Sequence, residues 1–67
     1  MHPRDWSVAQ VADFLTENHF PELVRQSFMQ YSVAGAQLPH LNNRSLTDLG
    51  MNEAQIKHFL SAIGRIM

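Results

Sequence analysis

The stretch NEAQIKHFLSAIGRIM, Asn52 to Met67, decides the fold. Its apolar residues fall at Ile56, Phe59, Leu60 and Ile63, and then at Ile66 and Met67. This is the i, i+3, i+4, i+7 recurrence of one helical face. Ala62 is small, and Lys57, Ser61 and Arg65 fall mostly on the other side. Asn52 followed by Gln55 is a capping-box pair at the start. Glu53 in the first turn and Arg65 in the last both suit the helix dipole. Just before it, Gly50 offers the left-handed residue that ends a preceding helix. No other segment is both this long and this periodic, so the spacing predicts a C-terminal helical spine on which four shorter elements pack.

The bulk composition agrees with a small folded unit. The chain has 67 residues, 45% hydrophobic and 16% charged, with a net charge of −1 and no cysteine. A domain of this size buries only about 60% of its unfolded surface. Without cysteine, neither a disulfide nor a thiolate metal site can hold it, which fits an intracellular setting. A near-neutral charge removes the broad basic field of a nucleic-acid binder. No apolar run approaches the ~18 residues that span a bilayer, so membrane insertion is not expected. No secretory signal pattern opens the chain. The lengths suggest one domain excised from a larger protein, with residues 1–5 as a lead-in and 6–67 as the domain.

Met1 to Asp5 reads as non-helical, because Pro3 restricts the residue before it. Ser7 and Gln10 form a second capping box, and Trp6 before the cap can staple onto Val11. Val8, Val11, Phe14 and Leu15 make the stripe of a helix that fades near Asn18 and His19. Pro21 suits the first position of a second helix, with Glu22 in its first turn. Leu23, Val24 and Phe28 form its apolar face, with Ser27 beside them, while Met29 and Tyr31 fall off that face. The helix ends around Gln30. Val33, Leu38 and Leu41 read as buried, Gly35 as a tight approach, and Ala34 to Gln37 as one helical turn stopped by Pro39. Asn42 caps a fourth short helix with Ser45 at its third position; Leu46 and Leu49 point inward and Gly50 closes it. Nothing alternates at period two, so the expected class is all-α: a compact five-helix bundle with short middle helices and a long last helix.

The ordered set Trp6-Ser7-Val8-x-x-Val11-x-x-Phe14-Leu15, Phe28, Val33-x-Gly35-x-x-Leu38-x-x-Leu41, Leu46-x-x-Leu49-Gly50-Met51, then Ile56, Leu60 and Ile63, resembles a sterile alpha motif (SAM) domain. The resemblance runs from Trp6 to about Ile66. It implies a five-helix bundle that binds proteins, often other SAM domains, head to tail. One face comes from the middle of the domain, and the other from the start of the last helix. Carried onto this chain, the first draws on Tyr31, Ser32, Gln37, His40, Asn43, Thr47 and Asp48. The second draws on Met51, Asn52, Glu53, Lys57 and His58. Asp48 is the expected acidic contact and Lys57 the basic one. Two departures stand out. The mid-domain face has one clear acid, and the last helix starts with Glu53, the wrong sign for an acidic partner. The charges therefore do not advertise self-polymerisation.

The sharper chemistries find little support. Trp6 fits packing better than a binding anchor. Met29, Tyr31 and Met51 could form an adaptable apolar patch, although scattered apolar surface is ordinary. His2, His19, His40 and His58 share no i, i+4 pair and no HExxH, so no metal or other cofactor is expected. Solvated surface is the ordinary state of such histidines. The six acids form no close pair, no Gly-rich phosphate loop exists, and a catalytic triad has no cleft to occupy, so an enzyme is not expected. RNA hairpin binding, which some SAM domains perform, is the alternative. It needs a basic cluster at the start of the last helix, where only Lys57 and His58 stand against Glu53. The expected role is a protein–protein interaction module of a scaffold, signalling or transcriptional regulatory protein.

Overall fold

The computed structural model describes residues 2–66. A 3-10 helix, Pro3–Asp5, comes first. It is followed by α1 (Val8–Glu17), α2 (Glu22–Gln30), a second 3-10 helix (Gly35–His40), α3 (Asn43–Asp48) and α4 (Glu53–Ile66). Among the described residues there is no strand, so the chain is all-α. The four α-helices and the second 3-10 helix make the expected five-helix bundle, with the N-terminal 3-10 turn added to it. Met1 and Met67, counted above in the lead-in and the last stripe, lie outside the described residues.

The starts of the helices follow the polar residues that precede them. Ser7 donates its amide to Gln10 Oε1 at 2.8 Å, and the Gln10 amide donates to Ser7 Oγ at 3.2 Å. The same reciprocal pair opens α4, where the Asn52 amide donates to Gln55 Oε1 and the Gln55 amide to Asn52 Oδ1, at 2.9 and 2.8 Å. Asn42 Oδ1 accepts the Ser45 amide at 2.9 Å before α3. Each bond satisfies a backbone donor that the first helical turn leaves without a partner. Pro21 stands one place earlier than expected, as the N-terminal flank of α2.

The ends of α1, α2 and α3 share one device. Their first residues beyond the cap, His19, Ser32 and Gly50, have φ of 65°, 53° and 97°. In each case that residue's amide bonds back to the carbonyl three residues earlier. The next amide bonds five residues earlier: Phe20 to Leu15, Val33 to Phe28, and Met51 to Leu46, at 3.0, 2.9 and 3.1 Å. This is the Schellman arrangement, which normally brings together the side chains at the two ends of the longer bond. All six of those side chains are buried here. Each reversal therefore delivers one apolar residue back into the core.

Phe59 of α4 sits at the centre, fully buried. Its ring meets Phe14 at 6.2 Å and Phe20 at 6.1 Å, both edge-on, and Phe28 at 5.7 Å. Such tilted aromatic pairs contribute beyond the area they bury. One α4 side chain thus holds residues of α1, α2 and the turn between them, as the spine expectation requires. Trp6 is half-buried against Phe14 at 5.4 Å, a packing role. It packs against the core cluster that contains both Phe14 and Val11.

Several expectations change. The buried stripes are narrower than the apolar spacing. Leu23 is 77% exposed, because α2 buries only the line through Val24 and Phe28. On α4, Leu60 and Ile66 are 43% and 40% exposed, and the inward positions are Ile56, Phe59, Ala62 and Ile63. Leu41 is only partly buried. Pro3 does not keep the lead-in free of helix. It starts the 3-10 turn, where its missing N–H costs nothing, and it is buried. The second 3-10 helix also runs past Pro39 to His40 instead of stopping at it.

Candidate interaction surface

The six-residue helix α3 separates two open recesses. On one flank, Tyr31, Ser45, Asp48 and Leu49 line a recess at the end of α2. On the other, Asn43 and Thr47 face Glu53, Ile56, Lys57 and Leu60 across the groove between α3 and α4. Helical spacing accounts for the division. Asn43 and Thr47 are four apart on one side, while Ser45 and Asp48 lie roughly 150° round the axis from them. Asn43 and Thr47, carried above onto the mid-domain face, line the same recess as the start of α4.

In the first recess Tyr31 is 65% exposed and Asp48 ends α3, also exposed. Gln37 and His40 are exposed on the second 3-10 helix. Gln37 Oε1 already accepts the Ala34 amide at 2.9 Å, which leaves its NH2 as the group free to donate outward. In the second recess Glu53 and Lys57 are exposed one turn apart on α4, with Asn52 capping the same end. The one salt bridge among the described residues is Arg25–Glu22 at 3.0 Å, so Asp48, Glu53 and Lys57 form no ion pair with any of them.

Met51 is not where an interface needs it, and His58 is engaged within the domain. Met51 is 3% exposed, because it is the buried terminal residue of the Schellman turn after α3, so it is a core residue. The apolar patch with Met29 and Tyr31 loses it. His58 is exposed but points to the α1–α2 corner. Its ring stacks on Phe20 at 5.1 Å and 26°, and its Nε2–H donates to the Asn18 carbonyl oxygen at 3.1 Å. No spacing rule flags this contact, since forty positions separate the partners.

A third, smaller recess lies between Trp6, Phe14, Ala62 and Ile66. Among the described residues no three His, Cys, Asp or Glu side chains gather as a metal site would need, and no helix is long and apolar enough to cross a membrane. What the two recesses beside α3 offer is exposed aromatic and aliphatic surface beside single charges of both signs. That is the chemistry of contact between proteins.

No curated protein and no solved structure matches the chain. The profile of the SAM domain (sterile alpha motif) does match, over residues 3–66, nearly the whole chain and starting at the buried Pro3. The chain belongs to the sterile alpha motif family, whose members are generally protein-interaction modules.

Proposed function

We propose that this domain associates head to tail with another SAM domain, its own copy or a heterologous one. The Tyr31–Asp48 recess of one domain docks on the Glu53–Lys57 groove of the next. Gln37 and His40 border the first face and Asn52 the second. The parent would be an intracellular scaffold, signalling or transcriptional regulatory protein. The observation that carries this is the placement of the two recesses on opposite flanks of α3. Faces so disposed cannot meet their own kind across a two-fold axis while using both. They leave one face open at each end and allow an open chain. An exposed Asp48–Lys57 pair would contribute only about 0–1 kcal/mol, so most of the affinity would come from covering Tyr31 and Leu60.

Sedimentation of the wild type, Asp48→Lys and Lys57→Glu at matched concentrations tests it. Concentration-dependent association is expected for the wild type and its loss in each variant. An equimolar mixture of the two variants should form a one-to-one dimer through the single pair of faces left intact. Identical monomers in every sample would overturn self-association and leave only a heterologous partner.

A further inference from the structure

Glu53 is the residue that head-to-tail docking leaves unexplained. It stands at the start of α4, one turn or about 6 Å from Lys57 along the axis, and would face a surface whose clear charge is the acidic Asp48. A carboxylate brought into a contact without a donor loses its water and gains nothing. Resting on the head-to-tail reading, we infer that Glu53 accepts a hydrogen bond from the phenolic O–H of Tyr31 on a second copy of this chain. Tyr31 shares its recess with Asp48, just as Glu53 shares its groove with Lys57. Setting Asp48 against Lys57 therefore carries Tyr31 into the neighbourhood of Glu53. A phenol is a neutral donor, so it satisfies the carboxylate without requiring a basic patch. Its ring covers Leu60, the exposed aliphatic side chain that lines the same groove. Neither the Tyr31 hydroxyl nor the Glu53 carboxylate has a partner among the described residues to give up. The two acids of the joint are thereby matched to unlike donors, Asp48 to an ammonium and Glu53 to a hydroxyl, which also sets the register of the two domains.

The test uses two locked forms of the whole chain. Lys57→Glu keeps only the Tyr31 face, and Asp48→Lys keeps only the Glu53 face, so together they form one joint. Titration calorimetry measures that joint with Tyr31→Phe added to the first, Glu53→Ala added to the second, and both. Each single change is expected to weaken binding about fivefold or more, and the pair together no further than either alone. Circular dichroism confirms folding, which an exposed Tyr31 does not threaten. Additive losses, or a Tyr31→Phe form that binds as well as its parent, overturn the pairing while head-to-tail docking stands. No binding between the locked parents overturns the pairing and self-association together, and leaves only a heterologous partner.

Discussion

The Gly35 amide donates to the Trp6 carbonyl at 2.8 Å, and this bond ties the second 3-10 helix to the chain's first turn. The contact is so close that a Cβ on Gly35 would stand 2.7 Å from the Trp6 nitrogen and 2.8 Å from the Arg4 carbonyl carbon, both backbone atoms that cannot swing aside. Gly35→Ala is therefore expected to cost about 3 kcal/mol, a large share of what a domain this small has. Gly64 is the internal contrast. It lies inside α4, and a Cβ there would meet no atom within 4 Å, so Gly64→Ala is expected to raise stability by about 0.5–1 kcal/mol. Urea unfolding of both variants followed by circular dichroism checks the opposite signs.

Ser32 and His19 hold positive φ without being glycine. The left-handed conformation costs an ordinary residue about 1–2 kcal/mol, and glycine escapes that cost while giving up some unfolded-state entropy. Ser32→Gly is expected to stabilise the domain by about 1 kcal/mol net. No side-chain hydrogen bond of Ser32 is lost. The thermal midpoint should rise by about 4–8 °C, the shift per kcal/mol for a domain of this size. An unchanged or lower midpoint would mean that the turn relaxes in solution.

These turns also explain how far the fold is legible in the sequence. Ser7 with Gln10, Asn42 with Ser45, and Asn52 with Gln55 announce helix starts by local hydrogen bonding, and each forms as its spacing implies. Gly50 announces one helix end. His19 and Ser32 announce nothing, because the strain is imposed by the core pulling Phe20 and Val33 inward. Apolar periodicity finds a face but not its width, which is why Leu23 and Leu60 read as buried. Asn43 and Thr47 line one recess and Ser45 and Asp48 the other, because a six-residue helix shows both flanks to solvent. Only its neighbours decide which flank belongs to which recess.

Met51 separates a core role from a contact role. Its amide closes the turn on Leu46 and its side chain is buried beside the residues of the main cluster. Met51→Ala is expected to destabilise by about 2–5 kcal/mol through lost burial and the cavity left behind. Met51→Leu, close in volume, should cost under about 1.5 kcal/mol. Denaturant midpoints measured on the unassociated domain check this. A Met51→Ala variant as stable as wild type would return Met51 to the surface.

His58 lies next to Lys57 in sequence but does not line the groove between α3 and α4. It joins α4 to the end of α1 through the Asn18 carbonyl and lies flat on Phe20. The carbonyl is one that the last turn of α1 leaves without an intrahelical donor, so the bond serves the helix end as well as the corner. His58→Ala is expected to cost about 1–2 kcal/mol, an aromatic pair and a hydrogen bond partly open to water. His58→Gln, which restores a donor without the ring, should recover part of it. Binding between the locked Asp48→Lys and Lys57→Glu forms should be unchanged when either carries His58→Ala, measured well below its melting temperature. Weakened binding with an unchanged midpoint would place the imidazole in the interface and detach it from the corner.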